Sequence, residues 1–374
     1  MLLPVIRIPH AAPRIPDPES ATMTLLLCLF LLARAPQSMT EGPARTGWEA
    51  IERGDGEKAA AAFRRALADN PRDAGSLAGS AMASHLLGRD DQAISVLKRA
   101  LEIEPDFAYA AYLLGQFAYA QGDLDLAIKS YERALQIQPG NRSAYKQLED
   151  WKKEAELHSG FTTRPGVRFN ILFEGPEQQV IAARVSNALE AAYARVGSSL
   201  GVYPPETITA ILYSREQFRD VTKSPPWAAG AYDGRIRIPV LGSLRTPGEL
   251  DRVVTHEYVH AALRSLAPRG LPFWLNEGLA TYFEPVDHAW LEQRLRTART
   301  TIPMSELEQS FGRLDGADAL LAYAQGFTAA RMLAHRLGSN FPVFLQYVGN
   351  GTSLEQALLL FNITDADVQH TWRR

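Results

Sequence analysis

The sequence predicts two architectures in one chain: an all-α solenoid of helical hairpins, then an α+β domain built around a candidate metal site. Three observations lead there. A 34-residue period runs through the first half, an alternating strand pattern begins after Gly166, and the pentapeptide HEYVH occupies His256 to His260. With 374 residues the chain has length for two domains, and a hydrophobic content of 46% is ordinary for globular protein. Lys and Arg number 39 against 42 Asp and Glu, a net charge of -3 with no long basic run, so nucleic acid is excluded as the expected partner.

Residues 1–37 read as a leader. Thr24–Ala33 is an apolar run too short to span a bilayer but suited to a signal-peptide core. Arg7 and Arg14 precede it, and Ala33, Arg34 and Ala35 form a small-x-small cleavage pattern. Pro36 directly after that pattern disfavours a cut there, and a start at Met23 would leave the run without its positive residues. Export, periplasmic or secreted, is the expectation, and a cytoplasmic protein is the alternative. The only cysteine, Cys28, lies in this run, so a cleaved protein would carry no disulfide. No later stretch reads as a membrane span.

Residues 45–157 are the expected array. Pro71, Pro105 and Pro139 fall 34 residues apart, as do Gly54, Gly88 and Gly122. Alanines recur at the same period as Ala59, Ala93 and Ala127, and again as Ala66, Ala100 and Ala134, with Phe63, Leu97 and Tyr131 between them. Small residues at this period mark helices that cross closely, and the pattern is that of the tetratricopeptide repeat. Each hairpin must be covered by its neighbour, so about three are the least that stand alone. The first helix is expected to be short, because Pro43 and Gly47 crowd Trp48, and the charged stretch Ser143–Leu157 to cap the far end. The array reads either as a groove for a protein or peptide partner, lined by Tyr109, Tyr112 and Gln116, or as a brace for the domain that follows.

Residues 165–374 hold the second domain. Val167–Phe173 alternates as a half-buried strand does, and the helix Glu177–Ser199, the strand Ile208–Tyr213, a short helix from Arg215 and the strand Gly234–Val240 follow. This β-α-β-α-β order ahead of further helices predicts an α+β domain. Pro239 near the end of the last strand agrees with an edge position, since proline cannot donate to an interior ladder.

The next helix carries the chemistry. Thr246 suits a cap, Pro247 the first helical position, and Glu249 completes a capping box. Leu250, Val253, Val254, Ala261 and Leu263 then recur at near-helical spacing. Residues four apart share a helix face, so His256 and His260 can hold one metal ion while Glu257 reaches a water bound to it, the layout of a zinc hydrolase. A catalytic zinc needs three protein ligands and one open position. Glu277 is the best third ligand: it is the lone acid before Glu284 and sits among Phe273, Trp274, Leu275 and Leu279, where a carboxylate must be paired, protonated or metal-bound. A zinc-bound water has its pKa lowered to about 7, and Glu257 would take its proton and return it to the leaving amine.

HEYVH followed by Trp274-Leu275-Asn276-Glu277-Gly278-Leu279-Ala280-Thr281-Tyr282-Phe283 resembles the gluzincin metallopeptidases, specifically the peptidase-MA-like family, in which such a domain often follows tetratricopeptide repeats. The resemblance spans roughly residues 165–340, including Gly230–Pro239 ahead of the HEYVH helix. It implies that His256, His260 and Glu277 are zinc ligands, that Glu257 is the general base, and that an extended peptide lies beside the last strand. Larger gluzincins often have an acid four residues after the glutamate ligand that orients a zinc histidine; here that position is Thr281, and the sequence assigns the role to no residue. By similarity to gluzincins that use a tyrosine or histidine from a downstream helix, Tyr323, placed at the start of a later helix, is the candidate oxyanion partner, with His335 as the alternative. The leading expectation is an exported zinc peptidase, an endopeptidase acting on protein or peptide substrates. The alternative is a repeat scaffold or adaptor whose zinc site is structural or inactive. The presence of Glu257 favours the enzyme, since a structural zinc usually has four closed ligands, often cysteines.

Overall fold

The structure, a computed structural model, describes residues 42–224, 228–241, 247–311 and 314–373. The expected leader at residues 1–37, with Cys28, and the expected helix cap at Thr246 lie outside them. The chain divides into two compact units that meet in sequence at Ser159 and Gly160.

In the first unit the 34-residue period becomes three helical hairpins: α1 (Gly42–Glu52) with α2 (Gly56–Asp69), α3 (Ala74–Leu86) with α4 (Asp90–Ile103), and α5 (Ala108–Ala120) with α6 (Leu124–Ile137). Gly54, Gly88 and Gly122 turn the chain inside each hairpin at φ 69°, 70° and 85°, a left-handed conformation that explains their period. Asp55, Asp73 and Asp123 cap α2, α3 and α6 by accepting from backbone N–H groups three residues on, at 3.1, 2.9 and 3.0 Å. A contact absent from the sequence reading repeats as well: Arg99 donates to the Pro71 carbonyl at 2.9 Å, and one repeat later Arg133 donates to the Pro105 carbonyl at 2.7 Å.

The periodic alanines are buried where helices cross, except Ala66, which is partly exposed, and α1 has 11 residues against 13 in α3. Gly47 packs beneath the Phe63 ring, which leaves no room for a side chain there. Tyr112 does not line a groove: it is buried edge-on against Tyr131, with ring centroids 5.3 Å apart, while Tyr109 and Gln116 are partly exposed. The charged helix α7 (Arg142–Ser159) closes the far end, where Trp151 stacks on Tyr119 at 4.7 Å and Glu154 accepts from the Tyr119 hydroxyl at 2.9 Å.

The second unit is built on a five-stranded sheet in the order β1-β2-β3-β5-β4. Its strands are β1 (Phe161–Arg164), β2 (Phe169–Glu174), β3 (Ile208–Ser214), β4 (Ala231–Tyr232) and β5 (Ile236–Leu241). The central strands β2, β3 and β5 are parallel, joined through α8 (Gln179–Leu200) and α9 (Arg215–Thr222). Phe169, Ile171, Phe173, Ala210, Leu212, Ile236 and Ile238 point from one face into a core shared with α8 and α10 (Pro247–Leu266).

Two strands escaped the sequence reading. β1, which precedes the expected domain start, pairs antiparallel with β2, and two-residue β4 pairs antiparallel with β5 through Ala231↔Arg237 and Tyr232↔Ile236. The edge strand on that side is therefore β4, not the Gly234–Val240 strand. Pro239 lies two residues beyond the last β4 partner, so the proline argument holds at that residue and fails for the strand as a whole. The remaining helices that bear on the site are α11 (Phe273–Phe283), α12 (Ala289–Thr297), α13 (Met304–Leu307) and α14 (Gly316–Leu337). Among the described residues no helix is long and apolar enough to cross a membrane.

Candidate metal centre

Helix α10 sets His256 and His260 one turn apart, with ring centroids separated by 5.0 Å and both side chains buried. Glu277 reaches them from α11: its Oε2 lies 3.4 Å from His256 Nε2 and its Oε1 3.7 Å from His260 Nε2. The three ligand atoms lie within 4.8 Å of one another. A tetrahedral ion with nitrogen and oxygen ligands at about 2.1 Å holds its ligand atoms roughly 3.4 Å apart, which these spacings approach. Both imidazole Nε2 atoms and both Glu277 oxygens are buried, with no hydrogen-bond partner among the described residues. Four unsatisfied polar atoms aimed at one point are costly unless something binds there, and the donor set suits zinc.

Two glycines bring α11 and α14 together. A methyl on Gly278 would strike the Gly326 carbonyl, and one on Gly326 would come within 2.7 Å of the Trp274 carbonyl, so the helices cross backbone to backbone. Glu277 directly precedes one glycine and Tyr323 lies about one turn before the other. Their juxtaposition follows from this crossing. Tyr323 is thus two turns inside α14, not at its start, and it is buried beside Glu277. His335 is exposed three turns farther along the helix and takes no part.

The orienting residues that the sequence left unassigned are Glu284 and Asn276. His256 Nδ1 donates to Glu284 Oε1 at 2.8 Å, and His260 Nδ1 donates to the Asn276 side-chain carbonyl at 3.2 Å. Each contact places the proton on Nδ1 and leaves the Nε2 lone pair for an ion. Glu284 stands seven residues after Glu277, which is two helical turns, and so projects from the same face. Thr281, at the expected position, is too short to do this, and its buried hydroxyl has no hydrogen-bond partner. Arg252 steadies Glu284 at 3.2 Å and His288 lies 3.8 Å away, stacked on Phe327. The signal was present in the sequence as an acid at i+7, but only the helix's length shows that its face persists that far.

Burial is the largest single influence on each ionisable group described next, and at two of them the neighbouring charges together outweigh it. It pushes the Glu257 carboxyl up to about 8, with the His256 charge opposing and Glu277 reinforcing. His260 is depressed to about 4 by burial, against the pull of Glu277. For His256 burial works downward and is outweighed by the contacts with Glu277 and Glu284, so the metal-free imidazole titrates well above its ordinary range. Burial would raise Glu284, but its contacts with His256 and His288 and the charge of Arg252 hold it down at about 2. The Tyr323 phenol is raised by burial first and by Glu277 second, which keeps it protonated at neutral pH. The arrangement offers three ligands, one ionisable group not needed as a ligand, and a protonated phenol.

Comparison with known proteins reaches the repeats. Residues 45–106 and 91–142 match the tetratricopeptide repeat family. Among solved structures, the first such domain of human RPAP3 is 21% identical, covers 31% of this chain and 96% of its own, and gives a TM-score of 0.29. The first repeat domain of Spaghetti (RPAP3), bound to the HSP90 peptide SRMEEVD, is 19% identical over 33% of this chain and 99% of its own, with a TM-score of 0.30. The type III secretion translocator chaperone SycD of Yersinia enterocolitica is 15% identical over 34% and 93%, with a TM-score of 0.30. No curated protein matches the chain.

Proposed function

We propose that the chain is a zinc-dependent endopeptidase: a tetratricopeptide array that engages a protein partner, ahead of a gluzincin-like α+β domain of the peptidase-MA-like kind. One observation carries this reading, the convergence of unpartnered, buried ligand atoms from His256, His260 and Glu277 beside a Glu257 that no described residue hydrogen-bonds. A structural site has no use for that second buried carboxyl.

His256, His260 and Glu277 would hold the ion. When bound, zinc supplies a polarised water and a positive charge that favours the ionised form of Glu257. Glu257 then accepts a proton as the peptide carbonyl is attacked and returns it to the leaving amine. Glu284 and Asn276 fix the imidazole tautomers through which the ligands present their lone pairs. Tyr323, protonated and buried beside Glu277, donates to the oxyanion that forms on the substrate. The extended substrate runs along the β4 side of the sheet, where main-chain pairing is available to a peptide of any sequence.

A second reading, favoured by the comparisons because they match the repeats alone, makes the chain a scaffold with an idle or structural zinc site. Cleavage of an unfolded protein and a broad peptide library by the full chain, set against Glu257→Gln, separates the two. The enzyme reading expects the variant to be about a thousandfold slower. Wild-type cleavage no greater than that of the variant would leave the scaffold standing. We also place the mature protein outside the cytoplasm, on the strength of the apolar run Thr24–Ala33. Fractionation that finds only full-length chain in the cytosol would overturn that location.

A further inference from the structure

We infer that Gly230 is the positioning residue for Glu257, an assignment that rests on the hydrolase reading for its catalytic meaning and on sterics alone for its structural one. The carboxyl of Glu257 is fully buried, and among the described residues neither of its oxygens has a hydrogen-bond partner. No hydrogen bond from a described residue aims it. What lies against it is Gly230, the last residue of the buried stretch Ala228, Ala229 and Gly230 that leads into the edge strand β4. A Cβ placed on Gly230 would stand 2.5 Å from Glu257 Oε1, 2.8 Å from its Cγ and 2.9 Å from its Cδ.

Nothing else about Gly230 calls for glycine. Its φ lies outside the left-handed region that Gly234 and Gly270 occupy, so another residue could adopt its backbone. The three atoms that a Cβ here would meet first all belong to Glu257. A carbon and an oxygen relax at a separation of about 3.3 Å, so a methyl here must push the carboxylate roughly 0.8 Å aside or displace the strand. A base moved by about 1 Å loses on the order of a hundredfold in rate.

The test is a cycle of full-length proteins: wild type, Gly230→Ala, Glu257→Ala and the double variant. Gly230→Ala should lower the melting temperature by roughly 5 °C in the wild-type background and by almost nothing once Glu257→Ala has made room. With zinc bound, Gly230→Ala should retain wild-type zinc stoichiometry and affinity while kcat falls about a hundredfold. Should Gly230→Ala alone fail to fold, recovery of folding in the double variant gives the same answer. Equal melting losses in both backgrounds, or unchanged kcat with unchanged melting, overturn the assignment. An intact melting cycle with no cleavage by the wild type overturns the hydrolase reading and leaves the steric assignment in place.

Discussion

In the repeat array a small set of contacts is used again every 34 residues; in the candidate metal centre every contact is used once. The Pro71 carbonyl and Arg99 reappear as the Pro105 carbonyl and Arg133, and the glycine turn at Gly54 reappears at Gly88 and Gly122. Around His256 no such copy exists among the described residues. Its environment combines α10, Glu277 and Glu284 from one face of α11, and the crossing of α11 with α14. The regions also differ in what they leave unsatisfied. The unpartnered buried atoms of the array are scattered indole, serine and tyrosine groups, whereas those of the centre are imidazole nitrogens and carboxylate oxygens gathered at one point. Repetition builds a surface that tolerates change, and convergence builds a site that does not.

The largest expected difference is at glycines. Gly326→Val should destabilise the second unit by about 3 kcal/mol or more, because the added atoms meet the Trp274 carbonyl and not a movable side chain. Gly54→Ala in the array, where nothing lies within 4 Å, should cost only about 1 kcal/mol of left-handed strain. Thermal unfolding of the two variants measures both, and equal losses would break the contrast.

Next in size is the histidine support. Glu284→Gln should weaken zinc binding 10- to 100-fold, about 1.4–2.7 kcal/mol, with the fold retained. Glu154→Gln, which alters a buried acid of the array, should leave zinc affinity unchanged. A zinc titration in which Glu284→Gln behaves as wild type would assign the tautomer control elsewhere.

The metal-free protein should also show a pH signature from Glu257. Its folded pKa of about 8 stands above the ordinary 4.5, so the folded state holds the proton more tightly. That contribution to stability is complete below about pH 4.5 and is lost as pH rises to about 8. Chemical denaturation between these limits should show a steeper decline for wild type than for Glu257→Gln, and parallel profiles would contradict the burial argument. The smallest effect is a helix cap: Asp73→Ala should cost the array about 1 kcal/mol and change nothing in zinc binding.

These differences also account for what could be read from the residues. The period was legible because one packing solution is written three times, so Ala59, Ala93 and Ala127 report a single crossing. His256, His260 and Glu277 were legible because a helix and an apolar setting constrain them locally. Glu284 was not, since its role depends on where α11 stops, and neither were Gly278 and Gly326, which are 48 positions apart and meaningful only as a pair. Tyr112 was misplaced because an aromatic at a helix position reads alike whether it faces a groove or the next helix. Strands β1 and β4 are too short to show alternation, and without β4 the neighbouring strand looked like an edge.

The central claim is that His256, His260 and Glu277 hold one ion that Glu257 does not help to bind. Titration of zinc into the metal-free full-length protein tests it most directly. The expected result is about one zinc per chain for wild type and for Glu257→Gln, with affinity at least a hundredfold weaker for Glu277→Ala. Equal affinity for wild type and Glu277→Ala would contradict it.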